Sequence, residues 1–443
     1  MEIIRTLICE GIIRTIDKSD IQCPVPFIIN QYDDGHLQVE VNLHHNKNSH
    51  KIIVLSDSYR RKNKTLYFSL KGRSLDPVGE IDIPTMYIRN SHYEPPNYKL
   101  SFEVTYTVDV KFGKYLHRKY ELRVAITNLE FHPFSMVIDD VGFEFRKISD
   151  YEKIIDKLTD NRFEPKATCE MFVYNRKKCY PDYSEKIESL MRLLSYAVRT
   201  NVNSISEEYS YNNKLVRLKL KPARTKKFVR LRYLIDSGFV GHTNLSEFLS
   251  STFPKYLENE EKFGFHLAFD YYLSSFQTNI YQEEFFSAYV CLEVLLDHYE
   301  LLRKQSGNPI IKGNIQGNKR KIKTIIKQNN GRLKMQTITK IAEKISYSNL
   351  TINEKLYAFF QEKYSKNIDF EDRQLSEIRN TIIHTGKIPD EVGKDRQKRK
   401  IDIYKEICRL IYLNDRIILR ILEYNRKLFH NPYKDYDYDH IDY

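Results

Sequence analysis

The chain has 443 residues, 41% hydrophobic and 13% aromatic, which is enough for more than one buried core and argues against a disordered chain. Lys and Arg total 71 against 59 Asp and Glu, and the resulting charge of +12 makes a polyanionic partner worth considering without proving one. Six cysteines without a CxxC or CxxH pair exclude a disulfide scaffold and a zinc-finger type of site.

The first third reads as β. LQVEVNL (37–43), KIIVL (51–55) and TLYFSLK (65–71) are strand candidates. The clearest segment is KLSFEVTYTVDVKF (99–112), where Leu100, Phe102, Val104, Tyr106, Val108, Val110 and Phe112 fall at every second position. KYELRVAIT (119–127) and a run ending in GFEFRKI (142–148) follow. Asp33-Asp34-Gly35, Asp76-Pro77 with Gly79, and Pro95-Pro96-Asn97 supply turns between them. Many short strands at this spacing predict an antiparallel sandwich or barrel-like domain over residues 1–180. The histidines of this region, among them the adjacent His44 and His45, read as surface groups, and no metal site is expected. No run of about 18 uncharged apolar residues occurs, and MEIIRTLICEG at the start lacks a basic segment leading into a long apolar one. No membrane contact is therefore expected, and a reducing, cytoplasmic location is.

Residues 181–260 read as a basic, mixed connecting region. SEKIESLMRLLSYAVRT (184–200) has helical spacing of Ile187, Leu190, Met191, Leu194 and Ala197. KLVRLKLKPARTKKFVRLR (214–232) holds nine Lys or Arg and no acid. One reading is a pair of strands whose cationic outer face tracks a phosphate backbone, with Lys219, Lys221, Arg224, Lys226, Lys227 and Arg230 as RNA contacts; the other is a solvated basic hairpin. From about residue 243 the chain reads as helix: LSEFLSS capped by Asn244, GFHLAFDYYLSSF (264–276), YQEEFFSAYVCLEVLLDHYELL (281–302), segments near 333–346, 352–365 and 369–385, and a long closing helix within 396–427. The insert SGNPIIKGNIQGNKRKIK (306–323) reads as a basic connection and adds Arg320, Lys321 and Lys323 to the candidate RNA contacts. The tail, 431–443, is polar.

The segment that carries chemistry is FEDRQLSEIRNTIIHTGKIPD (370–390). Leu375, Ile378 and Ile382 share a face that should pack inward, Gly386 suits the left-handed residue that ends a helix, and Pro389 prevents its resumption. Asn380 and His384 are four apart and share a face; Glu377 lies one turn before Asn380. Arg379 is about 140° round the helix from His384, within reach of its long side chain. An imidazole takes and gives protons near neutral pH, a guanidinium clamps a phosphate through two parallel hydrogen bonds, and an amide can hold either group. Together these are parts for cleaving a phosphodiester without a metal, with a base for the ribose 2′-hydroxyl and positive charge for the transition state. A bare Arg-x(4–6)-His spacing carries no weight, since 28 Arg and 13 His predict about 2.5 chance matches. Requiring Asn directly after the Arg lowers that expectation to about 0.2.

Arg379-Asn380-Thr381-Ile382-Ile383-His384 resembles the RNxxxH signature of HEPN domains, especially the ApeA-like branch. FFSAYVCLEVLLDHY (285–299), with Cys291-Leu292-Glu293, is similar to the early helix of that family, and RLIYLNDRIILRILEYN (409–425) to its long closing helix. A β-rich front ahead of such a bundle also resembles the ApeA-type anti-phage architecture, in which the front is a sensor or substrate-guiding domain. The resemblance implies an α+β chain with an all-α HEPN bundle of four or five helices over 261–430, dimerising so that two motifs form one metal-independent ribonuclease site. Arg379, His384 and Asn380 would then be catalytic, with Glu293 and Glu377 in support. No cofactor is implied; the implied partners are RNA, tRNA among the candidates, a second copy of the chain and an unknown phage trigger. Thr385, between His384 and Gly386, departs from the family by moving the helix stop one residue on. A non-catalytic HEPN module that binds nucleic acid or nucleotide, or dimerises with a separate toxin, is the alternative.

Overall fold

The computed structural model of the chain describes residues 2–17, 20–43, 47–94, 97–112, 121–160, 166–175, 183–223, 234–235, 245–307, 350–361, 373–392 and 399–424. Strand β1 (Ile3–Thr15) alternates from Leu7 onward, with Leu7, Cys9 and Ile13 buried and Ile8 and Ile12 exposed. It pairs with β2 (Gln22–Tyr32), which turns at Gly35 into β3 (Leu37–Leu43). After helix α1 (Lys47–Arg61) come β4 (Tyr67–Leu75), β5 (Val78–Glu94) and β6 (Asn97–Val104). The antiparallel pairing order is β1–β2–β3–β6–β5–β4, and β4 pairs back to β1, so these six strands form a closed ring. Closure removes the free edges that an open sheet would leave.

Two glycines permit the close crossing of β1 and β4. Gly11 faces Gly72, and a Cβ on either would lie 2.3 Å from a carbonyl oxygen of the other strand. The ring interior holds Phe27, Ile29, Val39, Val41, Leu70 and a Phe68–Phe102 edge-to-face pair with centroids 5.2 Å apart. Each such side chain contributes about 1.5–3 kcal/mol on burial.

Two expectations for this region need correction. KIIVL is helical, inside α1, with Ile52 buried and Ile53, Leu55 and Tyr59 packed on the ring's core. A short apolar run is ambiguous between strand and helix. With the ring closed there is no edge for it to join, and a helix satisfies its own backbone. The segment 99–112 is two strands, broken after Val104. β6 stays in the ring, while β7 (Val108–Lys111) pairs with the start of β5 and with a second set of strands.

That second set continues β7–β13–β12–β8–β11–β10–β9, all antiparallel. It comprises β8 (Glu121–Thr127), β9 (Phe134–Ile138), β10 (Val141–Lys147), β11 (Ala167–Asn175), β12 (Asn203–Tyr211) and β13 (Lys214–Leu220). Helix α2 (Tyr151–Asp160) packs near β11, and α3 (Ser184–Val198) lies against β12. Residues 183–220 are thus part of this sheet layer rather than a connection beginning near 181.

The chain divides into two compact units, Met1–Ser251 and Thr252–Tyr443, with the boundary inside α4 (Leu245–Asn259). Unit two is helical: α5 (Phe265–Ser274), α6 (Tyr281–Gln305), α7 (Ile352–Gln361), α8 (Arg373–Thr385) and α9 (Ile403–Ile421), with a short hairpin of β14 (Glu391–Val392) and β15 (Arg399–Lys400) between the last two. Helix α6 is the hub and packs against α5, α7, α8 and α9. Polar contacts fix its neighbours: Asn414 of α9 donates to the Ala288 carbonyl at 2.8 Å, and Tyr272 of α5 donates to the buried Asp415 carboxylate at 2.6 Å. Among the described residues no helix is long and apolar enough to cross a membrane.

Candidate functional site

Helix α8 sorts its side chains as its spacing predicts. Leu375, Ile378 and Ile382 are buried, which turns Glu377, Asn380 and His384 outward. Gly386 closes the helix at φ +67°, with its N–H donating to the Ile382 carbonyl at 2.8 Å. His384 therefore stands in the last turn, exposed. Past this end a cavity of about 700 Å³ opens beside Pro389, Asp390, Glu391 and Lys400.

Arg379 sits half-buried on the flank of α8, held from three sides. Its Nη2 lies 3.8 Å from Glu293 Oε2 of α6, its guanidinium is 5.8 Å from the centre of the Tyr289 ring, and its Nη1 donates to Asn380 Oδ1 at 3.1 Å. Its Nε is buried and has no hydrogen-bond partner among the described residues. Tyr289 and Glu293 are four apart on α6 and present one face. The Tyr289 hydroxyl shares a 3.1 Å hydrogen bond with Ser376 of α8, which fixes the two helices against each other beside the guanidinium. Burial raises the Glu293 carboxyl above its ordinary 4.5, and Arg379 pulls it back in part. Burial likewise raises the Tyr289 hydroxyl.

The structure thus brings together Glu293, Arg379 and Asn380. Glu377 and His384 are exposed on the same helix, and no hydrogen bond to the His384 ring occurs among the described residues. Tyr289 and Ser376 complete the setting. From the sequence Tyr289 stands only as one more position of the helical segment 281–302; its place four residues before Glu293 was the available signal.

The basic stretch behaves differently from its reading as a cationic outer face. On β13, Leu218 and Leu220 point into the ring's core, so Lys219 and Lys221 point the other way, but that side is covered by α3. Lys219 and Lys221 are 7% and 6% exposed. Both converge on Glu207 of β12, itself fully buried: Lys219 Nζ at 4.0 Å, and Lys221 in a closer pair that also reaches Glu188 of α3 at 3.3 Å. Ser184 and Tyr209 donate to Glu207 Oε2 at 2.6 and 2.9 Å. Arg217, from the same stretch, makes a two-bond clamp on Asp109 of β7 at 2.8 and 2.9 Å. Lys219 and Lys221 are therefore corrected from RNA contacts to members of a buried ion-pair network. Arg224, Lys226, Lys227, Arg230, Arg320, Lys321 and Lys323 lie outside the described residues. Among the described residues no three His, Cys, Asp or Glu side chains cluster to hold a metal ion.

Comparison of the chain with family models, curated proteins and solved structures returns no match in any of the three.

Proposed function

We propose that the protein is a HEPN-type, metal-independent endoribonuclease that acts on RNA, with tRNA among the candidates, in abortive-infection defence against phage, and that it works as a homodimer through its helical unit. The observation that supports this best is that α8 carries an exposed amide and an exposed imidazole together with a half-buried guanidinium steadied by Glu293, Tyr289 and Asn380. In this reading His384 removes the proton of a ribose 2′-hydroxyl. The 2′-oxygen attacks phosphorus and the 5′-oxygen departs, taking a proton from water, which leaves a 2′,3′-cyclic phosphate and a 5′-hydroxyl. Arg379 stabilises the charge gathered on the phosphoryl oxygens, and Asn380, whose Oδ1 is engaged by Arg379, has its NH₂ left to donate to one of them. Glu293 is a positioning residue that acts through Arg379.

The test is RNA-end sequencing from cells expressing wild type or His384→Ala, with purified protein assayed with and without EDTA. Cyclic-phosphate ends should appear with wild type alone, cleavage should fall by about 10²–10⁴-fold in the variant, and EDTA should have no effect. Equal end profiles, or a strict need for a divalent metal, would overturn the proposal. The second reading, a non-catalytic binding module, draws on the exposed His384 ring, to which no described residue donates or accepts a bond that would fix its tautomer. It expects RNA binding with a steep salt dependence and no cleavage.

A further inference from the structure

Unit one contains a cavity that neither the helical site nor the proposed ribonuclease uses. It measures about 440 Å³ and lies between α1 and strands β5 and β6, in the size range of small-molecule sites. On α1, Ile53, Ser56, Asp57 and Arg60 line it, at spacings of three, four and seven residues, so a single helical face forms one wall. Ile88, Leu100 and Leu66 supply an apolar floor continuous with the ring's core. Tyr59, Tyr87 and Tyr98 add aromatic surface, and Tyr87 is braced edge-on by Tyr67, with centroids 6.5 Å apart.

The cations at the mouth set the charge. Arg60, Lys64 and Arg89 line the cavity against one lining acid, Asp57, and Glu103 behind Arg89 and Tyr87 offsets a second charge, so the cations keep an excess of one. Arg89 is partly engaged, with Glu103 at 3.9 Å and the His36 ring at 3.3 Å. Arg60 and Lys64 are exposed and make no ion pair among the described residues. Arg89 reaches its position through a β-bulge: β5 pairs Ile88 with Phe102 and then Asn90 with Ser101, so Arg89 is the extra residue. Bulges re-aim side chains and recur at barrel rims and beside binding sites.

An apolar floor, flat aromatic walls and unpaired cations at the rim ask for a ligand with one flat ring and one anionic end. We infer that this cavity binds a nucleotide, its base against the tyrosines and its phosphate between Arg60 and Lys64. The inference does not depend on the ribonuclease reading, because every residue it uses lies in the first unit. A stretch of polymer would need an open track, whereas this space is bounded by helix and strands.

The test is calorimetric titration of the full chain with AMP, ATP, GTP and UTP, alongside adenosine, inorganic phosphate and a ten-nucleotide single-stranded RNA. At least one nucleotide should bind in the micromolar range, and adenosine and phosphate should each bind at least tenfold more weakly. Arg60→Glu with Lys64→Glu, both at exposed positions, should weaken the nucleotide at least tenfold while the circular dichroism spectrum stays unchanged. Tyr87→Ala should weaken it too, and His384→Ala should not. Absence of binding by every nucleotide at millimolar concentration would overturn the inference. So would affinity indifferent to the Arg60 and Lys64 changes, loss of binding in His384→Ala, or RNA binding more tightly than any nucleotide through the same residues.

Discussion

Glu207→Gln is the sharpest test of the reading of the basic stretch. The amide keeps the shape of the carboxylate and can still accept from Ser184 and Tyr209, so the change removes charge and little else. What remains is Lys219 and Lys221, both under 10% exposed, with Glu188 at 3.3 Å from Lys221. Breaking a buried pair by removing one partner costs about 3–5 kcal/mol, because the surviving charge keeps its desolvation penalty. At about 2–4 °C per kcal/mol for a unit of this size, the melting temperature of the first unit should fall by roughly 6–20 °C. The chain has no Trp, so far-ultraviolet circular dichroism or calorimetry is the assay. Replacing Lys219 and Lys221 with Met in the Glu207→Gln background should recover most of the loss, since an apolar group of similar length needs no counter-charge. The same two Lys→Met changes should leave the slope of log K against log salt for RNA binding unaltered, whereas loss of a true phosphate contact lowers it by about 0.7–0.9 per cation. A melting point within about 2 °C of wild type for Glu207→Gln, or a reduced salt slope for the lysine variants, would refute the reasoning.

Three further outcomes are expected. Tyr272→Phe removes a hydrogen bond to the buried Asp415 carboxylate at 2.6 Å and should lower the stability of the helical unit by about 1.5–3 kcal/mol in urea denaturation; an unchanged midpoint would show that Asp415 finds another donor. Burial pushes the Cys9 thiol up to about 12 and raises Cys169 and Cys291 well above their ordinary range, so a Cys179→Ser variant should show no rapid reaction of these three with a disulfide reagent at pH 8 until it is unfolded; prompt native labelling of Cys9 would contradict its placement. Glu293 has a raised carboxyl, so the folded state holds that proton more tightly than the unfolded chain, and its contribution to stability declines as pH rises through the window just above 4.5; Glu293→Gln should gain relative to wild type across that window in urea midpoints taken from pH 4 to 7, and parallel curves would exclude it.

Much of the helical unit was legible because amphipathic helices report their own buried face. The spacing of Leu375, Ile378 and Ile382 marked the inward side of α8, and Gly386 marked its end. The strands were harder to read. β3, β4, β8 and β10 stand close to where alternation put them, but KIIVL became a helix and 99–112 became two strands. Both departures come from pairing. A closed ring leaves no edge for KIIVL, and β7 pairs on one side with β5 of the ring and on the other with β13 of the second set of strands. Neither pairing is written in the local pattern, because strand partners are set by contacts far apart in the chain.

The candidate site shows the same limit from the other side. Period-two alternation says correctly that Lys219 and Lys221 leave the face of Leu218 and Leu220; it cannot say what waits on the opposite face. There the acids come from other elements: Glu207 on the neighbouring strand, Glu188 on α3, and Asp109 for Arg217. An acid-free run in sequence is therefore not an acid-free surface in space, and the +12 excess is not evidence for an RNA track along β13. α8 escapes this problem because its outward side chains, Asn380 and His384, are exposed, while among the described residues Arg379 pairs with one acid, Glu293, and the pair stays half-exposed. Unpaired positive charge, rather than its density along the chain, is the property that selects places for an anionic ligand. By that measure the rim formed by Arg60 and Lys64 ranks above the whole described part of the basic stretch.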